Sequence, residues 1–231
     1  MVKLSSVRFH WRASGPLVLD VPAFEVAKGE RIFLCGPSGS GKTTLLNLLG
    51  GVAVPEDGEI RIMNIDIAAL TNTARDRFRA DHIGFIFQMF NLVPYLSMIE
   101  NVTLPCRFSV QRREQALAMS ETLEDEAIRL LTHMRLDIGS LSERPVAELS
   151  VGQQQRVAAA RSLIGGPELV IADEPTSSVD DEATQSFLDL LFAEVARVGA
   201  TLVFVSHEVR LGELFDRTVE LSEINRAAVR A

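Results

Sequence analysis

The 231-residue chain is poor in several things, and each shortage narrows what it can be. It has two cysteines, Cys35 and Cys106, too few for a disulfide framework, and Cys35 lies in the apolar run IFLC, where it reads as plain core. Its four histidines, His10, His82, His133 and His207, are scattered without metal-ligand spacing. No apolar run approaches the roughly 18 to 20 residues that cross a bilayer. The opening MVKLSSVRFHWR also lacks the apolar middle of a signal peptide, so a cytoplasmic location is expected. Basic residues are outnumbered, 23 Lys and Arg against 31 Asp and Glu for a net charge of -8. That balance argues against a general nucleic-acid binder, because phosphate backbones are held chiefly by Lys and Arg. The remaining composition, 47% hydrophobic and 23% charged, is ordinary for a globular protein. The length suits one large domain or a domain carrying an inserted lobe.

What is present alternates between strand and helix patterns. Val7, Phe9 and Trp11 alternate with polar residues as a half-buried strand does, and a second extended segment is predicted from about Val18 to Val26. RIFLC is a short apolar strand, a glycine-rich turn follows, and LLNLLGG continues as a helix, which together open a parallel α/β unit. GEIRI and IGFIF read as strands, LVIAD and TLVFVS as buried strands, and EATQSFLDLLFAEVARVG as an amphipathic helix stopping at Gly199. Between Pro105 and Gly165 the pattern becomes helical, with one charged helix predicted from about Gln111 to Met134. A helical lobe inserted into an α/β core is therefore expected, with the acidic run SETLEDEAIR as its solvated face.

The turn after RIFLC is GPSGSGKTT: Gly36, Pro37, Ser38, Gly39, Ser40, Gly41, Lys42, Thr43 and Thr44. It spells glycine, four residues, then Gly-Lys-Thr, and it stands between a predicted strand and a predicted helix. Glycines let the backbone curl until several N–H groups point inward, and the helix N-terminus adds its positive dipole end, so the loop is suited to phosphate. In this motif Lys42 is placed for β- and γ-phosphates and Thr43 for Mg²⁺. LVIADE is the companion: Asp173 would support the metal shell and Glu174 would polarise an attacking water. Alternatively the two acids could cap the next helix.

A third stretch, LSVGQQQR from Leu149 to Arg156, is too polar for a core and too patterned for a linker. With the glycine loop, this stretch and LVIADE in that order, the chain resembles the ATPase subunit of an ABC transporter over nearly its whole length. The resemblance implies ATP and Mg²⁺ as ligands and an α/β fold with a P-loop NTPase core, an antiparallel β subdomain and an inserted helical subdomain. Core and antiparallel parts would span about 1–88 and 166–231 of a single domain, and the helical signature lobe about 89–165. By the same resemblance Ser150, Gly152 and Gln153 contact the γ-phosphate of ATP held by a second copy, their helix aiming its N-terminus at the anion. Val151 replaces the family's first signature glycine, and a β-branched residue would be costly there if the backbone were left-handed. Gln88 corresponds to the glutamine that senses Mg²⁺ and water. Asp180 in SSVD corresponds to a residue crossing the dimer interface, although Ser178 stands where Ala or Gly is commoner. His207 corresponds to a switch histidine on the γ-phosphate. Trp11 falls where the family stacks an aromatic ring on adenine; the competing view is that it only continues the apolar face of Val7 and Phe9.

The segment IGFIFQMFNLVPYLSMIENVTLP is similar to the branch serving lipoprotein release, macrolide export and the regulation of wall hydrolysis in cell division. That likeness implies a permease partner with few membrane helices and a large extracytoplasmic domain, and a place on the inner face of the bacterial inner membrane through that partner. Met89, Phe90, Leu92, Val93 and Tyr95 cannot easily all be core, so a docking groove for the permease is expected here, against packing in the seam between lobes. With the C-terminal SHEVRLGELFDRTVELSEINRA following the last predicted strand, no appended regulatory domain is expected, which would slightly favour the export-type branch. A solute-importer ATPase, a soluble non-transport ABC ATPase and a binding module without turnover are the alternatives.

Overall fold

The computed structural model describes residues 1–12, 14–142 and 144–227. In chain order its elements are β1 Val2–Phe9, β2 Leu19–Val26, β3 Arg31–Cys35, α1 Lys42–Leu49, β4 Asp57–Ile62, β5 Ile65–Asp66, α2 Asn72–His82 and β6 Ile83–Ile86. There follow α3 Met98–Thr103, α4 Val110–Met119, α5 Leu123–His133, α6 Ile138–Leu141, α7 Val151–Leu163 and β7 Leu169–Asp173. The last are α8 Asp181–Val198, β8 Thr201–Val205, β9 Arg217–Glu220 and α9 Leu221–Ile224. Two compact units result, one of Met1–Arg79 together with the stretch from Thr201 on, the other of Ala80–Ala200. Among the described residues no helix is long and apolar enough to cross a membrane.

In the first unit β1 buries Val2, Leu4, Val7 and Phe9, its alternation interrupted at Ser5 and Ser6, where Ser6 has φ 53°. It pairs antiparallel with β2, Val7 opposite Val21, and with β4, Leu4 opposite Ile60. The strand stops at Phe9, so Trp11 does not continue its apolar face. By contrast β3 and β8 are apolar on both faces, as strands of a parallel sheet covered on both sides must be. β3 lies between β8 and β9, with Leu34 opposite Val205 and Val219. Phe33, Phe204 and Phe215 form an aromatic cluster there, with ring centroids 5.1 to 6.3 Å apart.

The second unit pairs β6 with β7 in parallel, Ile86 opposite Ala172. Helix α7 packs on it, and its small residues Ala158, Ala159 and Ala160 are all fully buried. The approach is so close that a Cβ on Gly84 would overlap the Ser162 carbonyl. The single charged helix expected from Gln111 to Met134 is two helices. Ser120 is extended at φ -148°, ψ 158°, and the Thr122 side chain accepts from the Asp125 N–H to start α5 afresh. Nor is SETLEDEAIR wholly a solvated face: Glu126 is buried, paired with Arg129 at 2.8 Å, and Arg129 reaches Glu194 of α8 at 2.9 Å. Burial alone would raise the Glu194 carboxyl, but hydrogen bonds from Arg129 and Arg197 outweigh it and hold that group below the ordinary carboxylate range.

Candidate functional site

In the first unit β3 delivers the glycine loop. Gly36, Gly39 and Gly41 have φ of 150°, 78° and 104°. At Gly41 the need is double, since a Cβ would also lie 3.0 Å from the Leu19 side chain and 3.3 Å from the Val18 carbonyl. Gly41 is the N-cap of α1 and offers no side-chain cap, so the first-turn N–H groups of that helix are left for a ligand. Lys42 folds back over the loop, its Nζ donating to the Gly36 carbonyl at 2.7 Å and the Pro37 carbonyl at 3.0 Å. An ammonium has three N–H donors, and these two carbonyls engage two of them.

The Ser40 hydroxyl is buried and has no hydrogen-bond partner among the described residues. An orphaned polar group of that kind calls for an explanation, and a phosphate oxygen in the loop would supply its partner. Pro37, Ser38 and Thr43 are exposed at the mouth and Thr44 is buried beneath it. The loop is anchored by Asn225, whose Nδ2 donates to the Val18 and Ser40 carbonyls at 3.0 and 3.3 Å and whose Oδ1 accepts from the Asp20 N–H at 2.8 Å. Sequence reasoning missed Asn225 because its partners lie about two hundred positions away.

Trp11 is 60% exposed and meets Phe9 edge-on at 5.0 Å. With Arg12, Gly15, Pro16 and Val18 it lines a cavity of about 270 Å³. Val18 also abuts Gly41, so this cavity borders the glycine loop. An exposed indole beside an open apolar cavity leaves a ring face for a planar ligand. At the other edge, Leu34 of β3 lies opposite Val205 of β8 in parallel register, so Gly36 and His207 each leave the same end of the sheet two residues on. His207 is exposed there.

The second unit repeats this geometry. Ile86 lies opposite Ala172 in parallel register, so Gln88 and Glu174, each two residues further on, leave the same end of the β6–β7 pair. Gln88 is exposed, whereas Asp173 and Glu174 are partly buried. Glu174 takes a left-handed backbone, φ 45°, unusual for a residue with a side chain. Neither Asp173 nor Glu174 caps α8; that is done by Asp180, whose carboxylate accepts from the Ala183 N–H at 2.8 Å. Gln155 was not foreseen: it is buried in α7 and its Nε2 donates to the Pro175 carbonyl at 2.9 Å, fixing the chain next to Glu174.

Ser150 is the N-cap of α7. Its hydroxyl accepts from the Gln153 N–H at 3.3 Å, and the Gln153 side chain accepts from the Ser150 N–H at 2.8 Å, a reciprocal capping box. Val151 is the first helical residue and is not among the positive-φ positions, so the backbone cost considered for a β-branched residue there does not arise. Ser150, Gly152 and Gln153 open on a cavity of about 450 Å³ that is also lined by Arg135 and Arg156. Two guanidinium groups and the Asp137 carboxylate line that mouth beside the helix N-terminus, two positive charges to one negative in a chain of net charge -8.

Beyond Gln88 the apolar segment divides. Met89 and Tyr95 are 82% and 77% exposed, Leu92 and Val93 are half-buried, and Phe90 is 6% exposed. Phe90 and Asn91 are left-handed, φ 58° and 49°, which costs about 1 to 2 kcal/mol for a residue bearing a Cβ, least for Asn.

In the first unit a strand, a glycine loop and a helix around an orphaned hydroxyl and a buried lysine define a nucleotide-binding P-loop. Comparison with known proteins agrees: the ABC transporter family matches residues 19–177. The chain is 42% identical over 223 residues to the lipoprotein-releasing system ATP-binding protein LolD of Anaeromyxobacter dehalogenans, covering 95% of this chain and 90% of that one. It is 37% identical over 228 residues to the macrolide export ATP-binding/permease protein MacB of Rhodopirellula baltica, covering 96% of this chain and 32% of that one. Among solved structures, the dimeric post-hydrolysis state of the ATP-binding cassette MJ0796 of Methanocaldococcus jannaschii, bound to ADP and Pi, superposes with a TM-score of 0.84 at 34% identity, covering 100% of this chain and 97% of that one. The chain belongs to the ABC transporter family, as an ATP-binding, ATP-hydrolysing cassette of the LolD- and MacB-like branch.

Proposed function

We propose that the chain hydrolyses ATP in a dimer of two copies and so drives a membrane permease of the export or mechanotransmission type, from the inner face of a bacterial inner membrane. The observation that carries the site is the buried, unpartnered Ser40 hydroxyl inside a glycine loop whose helix has no cap of its own. In this reading the Gly36–Thr44 loop and Lys42 hold the β- and γ-phosphates, Trp11 stacks on adenine, and Ser150, Gly152 and Gln153 of the second copy close the site with Asp180 beside them. The open cavity at Ser150, lined by Arg135 and Arg156 as well as Asp137, and the dimeric state of MJ0796 support the two-copy arrangement.

Water attacks the γ-phosphorus in line; the bond to the β–γ bridging oxygen breaks, giving ADP and inorganic phosphate. Glu174 accepts the proton of that water, Gln88 orients it and His207 donates a hydrogen bond to a γ-phosphate oxygen. Catalysis is then mainly positioning and electrostatic stabilisation. The hydroxyl of Thr43, the Gln88 side-chain oxygen and, through water, the Asp173 carboxylate are hard oxygen donors suited to Mg²⁺, which when bound neutralises phosphate charge. The helical part, about 89–165, presents the signature and receives the permease on the side of Met89 and Tyr95. The exposed side chains there and the permease named with MacB support this docking; few membrane helices and a large extracytoplasmic domain are the features expected of the partner.

The test is Glu174→Gln. It should retain MgATP binding, lower the hydrolysis rate by at least about 100-fold and shift the chain to a dimer on size-exclusion chromatography with MgATP. Hydrolysis near the wild-type rate would remove Glu174 from the water-activating role.

A further inference from the structure

We propose that Arg161 is a positioning residue that locks the permease-docking turn to the signature helix, an inference that rests on the docking reading above. Its guanidinium, in the last turn of α7, donates from Nη2 to the Phe90 carbonyl and from Nη1 to the Asn91 carbonyl, both at 2.6 Å. Those are the two consecutive left-handed residues of the turn. The Asn91 N–H donates to the Met89 carbonyl at 2.6 Å across Phe90, closing a three-residue turn of the strained, left-handed kind. Such a conformation persists only where its surroundings over-determine it, and one planar cation gripping both carbonyls does so. Arg161 has no hydrogen bond to a carboxylate among the described residues, and burial pushes its guanidinium down to about 10. The charge is thus spent on this turn and not on an ion pair.

The far end of the docking segment is tied as firmly. Asn101, fully buried, accepts from the Val93 N–H at 2.8 Å and donates to the Val93 and Ser97 carbonyls at 3.1 and 3.0 Å. The Pro94 and Leu96 carbonyls accept from the Ala147 and Val146 N–H groups at 3.2 and 2.9 Å, only a few residues before Ser150. The segment bearing Met89 and Tyr95 is therefore attached at the C-terminal end of α7 and just ahead of its N-terminus, points separated by about 16 Å of helix. A push on Met89 or Tyr95 reaches Ser150 without the segment bending first.

Two variants test this in the free chain and in the complex purified from native membranes. Arg161→Met keeps an unbranched apolar stem without the guanidinium and its hydrogen bonds. Arg161→Lys keeps charge but replaces the planar fork with a point charge. The expected result for Arg161→Met is a rise of at least tenfold in amide exchange at Phe90 and Asn91, free-chain MgATP hydrolysis within twofold of wild type, and at least a fivefold loss of hydrolysis in the complex. Arg161→Lys should recover part of that loss. Free and complexed rates falling together, with exchange rising throughout α7, would make Arg161 a structural prop and overturn the proposal, as would unchanged exchange at Phe90 and Asn91. A wild-type chain found in no membrane complex would instead overturn the docking reading, while exchange at the turn separately decides whether Arg161 holds it.

Discussion

The glycine loop and the turn after Gln88 both bend the backbone into the left-handed region, by opposite means. Gly36, Gly39 and Gly41 adopt it without a Cβ to obstruct, whereas Phe90 and Asn91 adopt it with their side chains in place and Arg161 gripping their carbonyls. The difference follows from what each segment presents. A loop that binds through its own N–H groups needs bare backbone. A segment that presents side chains must keep them, with Phe90 buried and Met89 projecting, so its conformation is imposed from outside.

The comparison breaks most severely at Gly41. Gly41→Ala adds both a positive-φ penalty and a Cβ crowded by Leu19 and the Val18 carbonyl, so MgATP affinity should fall by at least about 100-fold, measured by nucleotide titration. A smaller contrast separates conformation from crowding. Gly39 has open space around it, so Gly39→Ala carries only the conformational penalty and should lower stability by about 1 kcal/mol in urea unfolding. Asn91→Gly should change stability in the opposite direction, or not at all, because it relieves the same penalty in the other turn. If both substitutions destabilise equally, left-handed strain is not what distinguishes the two segments.

The same contrast explains what could be read beforehand. Strands β3, β7 and β8 were legible because covered parallel strands are written as apolar runs, and the glycine loop because its conformation is carried by residue type. The break between α4 and α5 was visible only in the caps, Ser120 and Thr122, which a reading of charge periodicity passes over. Glu126 looked like surface, but it is buried with Arg129 at 2.8 Å and Arg197 of α8 at 3.8 Å, and the second of these cations comes from a distant part of the chain. Asn225, Gln155 and Arg161 act on carbonyls 20 to 207 positions away, and no local pattern announces them. Strand alternation could not separate Trp11 from Phe9; the strand ends at Phe9, and the indole is exposed beside an open cavity.

The central claim, that one copy's signature completes the other's phosphate site, is tested most directly by mixing two inactive chains. Lys42→Ala spoils the cradle and Ser150→Arg the signature, and each alone should hydrolyse MgATP at least about 100-fold more slowly than wild type. Equimolar mixing should restore at least tenfold over either variant, because the mixed dimer holds one cradle and one signature that are both intact and face each other. No recovery, in a mixture shown to exchange subunits, would contradict the account by placing cradle and signature in the service of the same chain.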